Sequence, residues 1–440
     1  MSDEERVYRV EVVARVEGEG RFEVRLRDGE VVHARLSIFE APRFFEAFLR
    51  GRSIFEVPDI VARICGICPV AYQMSGARAI ERALGVEPDE RIRILRRILY
   101  CGEWIESHAL HVFLLHAPDF LGYASAVEMA AQHRGLVEDG LAIKKAGNAI
   151  VALLGGRAIH PVSACIGGFT RAPATAELRA LTPMLDDALE RASRAVRWAA
   201  SLPCPPVSSP PYVFVALDSD EYPLEQGGGV LVSPRGGGPV ERVPFDDWDE
   251  AFVETQVPCS NALQCHLKDG TPYLCGPMAR LHHHFEKLHP TAGALAREVG
   301  LPATLDNPHR SIVVRAIEIV HALAEAIDRI AAYARPEPAA SEVKLLAGEG
   351  AAATEAPRGL LWHRYRFDAE GQIEDARIVP PTSQNQARIE ADLIAMAAEL
   401  VRMDHDAATR LCEALIRAYD PCISCATHFL RLSIEDEGPS

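Results

Sequence analysis

Two Cys-x-x-Cys pairs stand near opposite ends of this chain, Cys65 and Cys68 in RICGIC and Cys422 and Cys425 in DPCISCATH. Four thiolates form a soft ligand set of the kind that holds zinc, nickel or iron. If the pairs meet in space, they close one site that ties both ends of the chain together. For four cysteines without context, a structural zinc site is the plain reading. The context argues for something more reactive. The first pair runs into PVAYQMSGARAIERALG, which reads as a helix, so its thiols stand near N–H groups that favour thiolate. His428 follows Cys425 at the same two-residue spacing and offers an imidazole to a second, harder metal.

The chain holds 11 cysteines, an odd number, and its start, MSDEERVYRV, carries no apolar signal core. Both favour reduced thiols and metal ligands over a disulfide framework, and hence a cytoplasmic setting. Cys259, Cys265, His266 and Cys275 match no compact ligand spacing, and the HHHF run at 282–285 reads as surface or hydrogen-bonded histidines.

Bringing residues 65 and 422 together requires the intervening chain to fold around them. With 440 residues, 48% hydrophobic and 25% charged, it can bury one large core or several ordinary ones. A net charge of −16 argues against nucleic acid or an anionic membrane as main partner. No apolar run reaches the ~20 residues of a spanning helix.

VYRVEVVARV, RFEVRLRD and EVVHARLSI alternate as strands, with Arg27, Asp28 and Gly29 as turn residues between two of them. From Asp89, apolar residues at Leu95, Ile98, Ile105 and Val112 recur at helical steps until Pro118. Further helices are expected at about 127–154, 174–200, 311–334 and 386–419. LPCPPVSSPP, GGGVLVSPRGGG and the 335–357 stretch read as loops, and 362–379 as a hairpin turning at Glu370 and Gly371. The expected fold is mainly α with a minor β part (α+β): a long-helix bundle with a small N-terminal antiparallel sheet and peripheral hairpins. One domain, 1–440, would comprise a β region at about 1–40, a helical core at about 89–200 and 289–335, insertion loops at about 202–245 and 335–360, and a ligand-bearing segment at 385–428.

Four separated motifs then carry a family resemblance: ARVEGEGRFEV at 14–24, RICGICPVAYQMS at 63–75, VPPTSQNQAR at 379–388 and DPCISCATH at 420–428. In that order they resemble the large, catalytic subunit of nickel-iron hydrogenases over nearly the whole chain. Their wording is similar to the cytoplasmic, cofactor-coupled group, the soluble NAD(P)-linked type above all. The resemblance implies that all four thiolates bind nickel, Cys65 and Cys422 terminally, and Cys68 and Cys425 as bridges to an iron carrying carbon monoxide and cyanide. It implies reversible heterolytic cleavage of dihydrogen, the proton leaving through Cys422 and the carboxylate of Glu17. Arg388 matches an arginine that overhangs the open face of the metals. Glu46 and His428 match ligands of a magnesium ion or second iron.

Each assignment has a plainer alternative: an exposed strand glutamate for Glu17, a solvated helix residue for Glu46. Two departures stand out, Ala387 where many relatives have proline, and Ser107 where membrane-bound relatives have an acidic residue. Helix-face packing and hydrogen bonding is the preferred reading of His108 and His111.

The chain has no iron-sulfur motif of its own and no GxGxxG after a strand. The resemblance therefore implies that its partner is an iron-sulfur small subunit, with flavin- and NAD(P)-binding subunits beyond it. It also implies nickel-insertion proteins and a maturation protease that cuts after His428 and removes 429–440. The rival readings are a quinone-type subunit of the same ancestry, which lacks the four cysteines, a zinc-bound scaffold, and a sulfur or polysulfide reductase.

Overall fold

The computed structural model describes residues 5–41, 44–207, 211–258 and 260–427. Helix makes up 48% and strand 19% of it, so helices form the body and the strands gather in small sheets, as the sequence predicts. The opening sheet is antiparallel, β1 (Glu5–Val10), β2 (Gly20–Arg27) and β3 (Glu30–Ile38), with β2 and β3 joined through Asp28 and Gly29. Alternation along β2 buries Phe22, Val24 and Leu26 on one face.

Directly after the first cysteine pair comes α1 (Pro69–Leu84), followed by α2 (Glu90–Ala109), whose N-cap Asp89 accepts from Arg91 N at 2.8 Å. The predicted stop at Pro118 is not a stop. The backbone passes through a π-helical stretch, Leu110–His116, into a short helix, Ala117–Leu121, where proline in the first turn costs no hydrogen bond. α3 (Arg134–Gly155) crosses α2 closely. A Cβ on Gly147 would lie 2.6 Å from Gly102 O, so both contact positions must lack side chains. α4 (Thr182–Ala200) and α5 (Ser311–Ala332) complete the bundle against α2 and α3.

Three predicted helices are shorter than expected. The 127–154 and 174–200 stretches break at 131–133 and 180–181, and 386–419 divides into α6 (Pro381–Ala395), a turn at Ala397–Leu400 and α7 (His405–Ala418). Asp404 causes the last break by capping Ala407 N at 2.8 Å and so starting a new helix.

The expected insertion loops are also corrected. Within 202–245, Phe214–Asp218, Gly229–Val232 and Glu241–Val243 pair in a four-stranded sheet with Leu274–Cys275. Within 335–360, Gly348–Ala356 is the edge of a three-stranded sheet with Gly359–Phe367 and Ile373–Val379, the last two being the predicted hairpin. GEGAAATEA has only Thr354 of the branched residues that mark a strand, because α1 lies directly on it. A Cβ on Gly350 would come within 2.5 Å of Ala79 O. Among the described residues no helix is long and apolar enough to cross a membrane.

Candidate metal centre

The fold brings the two cysteine pairs together. The sulfurs of Cys65 and Cys422 lie 3.5 Å apart and those of Cys68 and Cys425 3.6 Å apart, and all four fall within 4.8 Å of one another. None is more than 2% exposed. Among the described residues this is the one group of three or more His, Cys, Asp or Glu side chains close enough to share an ion. Four soft donors converging in an apolar interior fit a soft divalent metal, since burying four uncompensated thiols in contact serves no packing purpose.

The first pair sits on the loop before α1, with Cys68 at the N-cap. Cys65 Sγ accepts from Ile67 N and Cys68 N, both at 3.3 Å. Burial opposes charge on Cys65, yet hydrogen bonds from Cys422, Cys425 and Cys68 and the Arg358 charge bring its pKa well down, whereas burial and its neighbours push Cys422 up. Without a cation, four adjacent sulfurs cannot all ionise.

The second pair frames one helical turn, Ile423–Ala426, with Cys422 at its N-cap and Cys425 inside it. Partners from far along the chain hold it. The segment around Glu17 bridges to Cys422 in parallel fashion, with Ile423 N donating to Glu17 O at 2.9 Å. The Glu17 carboxylate accepts from the Cys422 thiol at 3.1 Å and from Ser424 N at 3.0 Å through the same oxygen. Cys422 N donates to Thr382 Oγ1 at 3.0 Å, and Ser424 Oγ to Glu40 Oε1 at 2.8 Å. Ile423 packs in a small apolar cluster with Ile38, Ala262 and Ala426.

Arg358 holds the residue two positions before Cys422. Its Nε donates to Asp420 O at 2.8 Å and its Nη2 to Asp420 Oδ1 at 3.1 Å, and Nη1 reaches Ser107 Oγ at 3.4 Å. Burial works against its charge, but Asp420 and the sulfurs of Cys422, Cys68 and Cys65 keep its pKa above the ordinary arginine range. Asp420 itself has φ 52°, a left-handed conformation that a non-glycine residue adopts only when its surroundings enforce it.

Arg388, the arginine expected over the metals, spends its guanidinium on other side chains. It pairs with Asp392 and stacks its guanidinium 5.1 Å from the Tyr212 ring centre, while Tyr212 donates to Asp392 at 2.9 Å. The guanidinium beside the thiols is that of Arg358. A signal for it existed in AAATEAPRGLLW, where a lone cation in a small, apolar run must find a buried partner. Asp420 and Thr382 lay inside motifs already singled out, without a role attached to them.

Glu46 accepts from Ile378 N at 2.7 Å, and burial pushes its pKa up to about 8. It borders a cavity of about 790 Å³ that also exposes Arg377, Asp249 and Glu254. Its expected partner, His428, and the 429–440 tail lie outside the described residues, as does Cys259. His108 places Nε2 3.0 Å from Glu318, and His111 Nε2 donates to Arg417 O at 2.7 Å. His282, His283 and His284 bond to Thr304, Phe214 O and Leu217 O.

Comparison with known proteins bears on the same residues. The nickel-dependent hydrogenase family model matches residues 43–139 and 280–428. The chain is 34% identical to the alpha subunit of sulfhydrogenase 1 from Pyrococcus furiosus, covering 96% of this chain and 98% of that protein. It is 30% identical to a subunit of the F420-non-reducing hydrogenase from Methanothermobacter marburgensis, covering 95% and 94%. Its fold matches the crystal structure of an NAD+-reducing [NiFe]-hydrogenase in the H2-reduced state with a TM-score of 0.85 at 28% identity, over 96% of this chain and 99% of that one.

Proposed function

The chain belongs to the nickel-dependent hydrogenase family, and from that premise we propose that Cys65, Cys68, Cys422 and Cys425 hold its nickel, Cys68 and Cys425 sharing an iron that carries carbon monoxide and cyanide. It is an oxidoreductase that acts on dihydrogen. When bound, the metals supply the Lewis acidity that makes dihydrogen a proton donor.

The protein's own residues then move that proton. Cys422 is the sulfur in contact with a carboxylate, and Glu17, half-buried, accepts from it at 3.1 Å. A carboxylate at that distance takes a proton from the thiol and releases it outward, in either direction of catalysis. Ser424 and Glu40 continue the hydrogen bonds beyond Glu17. Arg358, fixed by Asp420, keeps a positive charge beside the sulfurs without titrating, the role first expected of Arg388. Glu46, with His428, is the proposed holder of a magnesium or second iron ion, and a cation there would keep its raised carboxyl ionised.

The relatives are named as subunits of larger hydrogenases, and this chain likewise acts with a partner subunit. We place an iron-sulfur small subunit there, followed by flavin- and NAD(P)-binding subunits in a cytoplasmic complex. The match to an NAD+-reducing enzyme supports that acceptor. Two relatives bear the name sulfhydrogenase, which supports a second reading, reduction of sulfur or polysulfide by the same complex.

The observation that carries the proposal is the buried cluster of four sulfurs with Glu17 on Cys422. Metal analysis with infrared spectroscopy of the purified enzyme tests it. Nickel with iron, and bands from carbon monoxide and cyanide, are expected; zinc alone would overturn it.

A further inference from the structure

The start of α1 carries more N–H groups than its own turn can satisfy. The ordinary remedy is a capping side chain at the residue before the helix. Here that residue is Cys68, whose sulfur faces the cluster and makes no cap bond. The donors are disposed of in another way. Pro69, at the first helical position, has no N–H. Ile67 and Cys68 give theirs to Cys65 Sγ. Val70 and Ala71 both point at a carboxylate from a different helix, Glu103 of α2, at 2.5 Å to one oxygen and 3.1 Å to the other.

Glu103 is 1% exposed. A carboxylate is a costly choice for such a place, because burial penalises its charge and Glu106 lies near enough to repel it. What it offers is two acceptor oxygens, aimed at the positive end of a helix whose capping position is already committed to a thiol. Its own placement is firm. α2 is locked to α3 by the Gly102–Gly147 contact one residue before Glu103, and four residues further on Ser107 meets Arg358.

We propose that Glu103 is a positioning residue for the first thiolate pair: it caps α1 from outside, which releases Cys68 from capping and holds its sulfur toward the metals. Remove it and Val70 and Ala71 compete for the acceptors nearby, Cys65 Sγ among them. The start of α1 then turns, and the Cys68 sulfur turns with it.

The role rests on reading the cluster as a nickel site, and the test separates the two. The whole enzyme with its partner subunits is purified as wild type, Glu103→Ala and Glu103→Gln. Nickel release to EDTA and the nickel X-ray absorption edge are then measured. Glu103→Ala should release nickel about tenfold to a hundredfold faster and change the edge. Glu103→Gln keeps one oxygen but turns an amide N–H toward a backbone N–H, so it should fall between the two. If Glu103→Ala does not accumulate, Glu103→Gln decides. Wild-type release and an unaltered edge, even with a lowered melting temperature, would make Glu103 a mere stability residue and overturn the proposal. Should wild type hold another metal in place of nickel, the nickel reading falls, and the same release assay on that metal still decides the role of Glu103.

Discussion

The two halves of the thiol cluster are held by opposite means. Cys65 and Cys68 draw on their own loop and on the helix that follows, where Ile67 N and Cys68 N serve Cys65 Sγ. Cys422 caps, and Cys425 lies on, a single four-residue turn, too short to persist alone. Glu17, Glu40, Arg358 and Thr382 hold it, each distant in sequence. One half takes its sulfur contacts from its own loop, with Glu103 capping the helix that follows; the other exists only once the chain is folded. The difference teaches that the first half can be built for ligation and the second for reactivity, because side chains brought from elsewhere can carry protons and charge that backbone N–H groups cannot.

Substituting serine for any one of the four cysteines tests whether the halves form one site. Serine offers a hard, protonated oxygen in place of a soft thiolate, so nickel and hydrogen oxidation should be lost alike for Cys65→Ser and Cys422→Ser. Retention of metal by either variant would split the cluster into independent halves. Glu17→Gln probes the second half alone. It keeps the size of the side chain and loses the base, so hydrogen oxidation should fall roughly 10²- to 10⁴-fold with nickel content unchanged; loss of nickel instead would assign Glu17 to ligation.

A paired comparison of arginines sharpens the picture further. Arg358→Lys keeps a positive charge but cannot hold both Asp420 O and Oδ1, and activity should drop roughly 10²- to 10³-fold. Arg388→Lys should leave the rate within a few-fold and cost stability of about 1–3 kcal/mol, read by chemical denaturation. Reversed outcomes would restore Arg388 to the catalytic position first expected for it. The smallest effect belongs to Thr382→Val, which strands the buried Cys422 N–H and should lower stability by about 1–3 kcal/mol without a comparable change in rate.

The same contrast explains what was legible in the sequence. The first pair could be read with its loop and helix, which are contiguous, although Glu103, the carboxylate that caps that helix, comes from α2. Of the second half, the ligands and Glu17 could be read from motifs, but Arg358, Thr382 and Glu40 act through contacts that no spacing encodes. The long helices showed themselves by periodicity. The Gly348–Ala356 strand did not, because α1 demands small residues there and so erases the strand pattern. The breaks within 386–419 depended on a cap at Asp404 that an unbroken apolar stripe conceals.

Asp420 precedes Pro421 and yet has φ 52°, so two restrictions fall on one residue, a left-handed backbone and a proline neighbour. That conformation costs about 1–3 kcal/mol and persists only where something enforces it, as Arg358 does through two hydrogen bonds. The segment entering the second pair is therefore under tension, and the arginine is its latch. A glycine at 420 would relieve the tension and lose the latch together, whereas asparagine, which tolerates the same backbone, would keep the shape and give up only the charge.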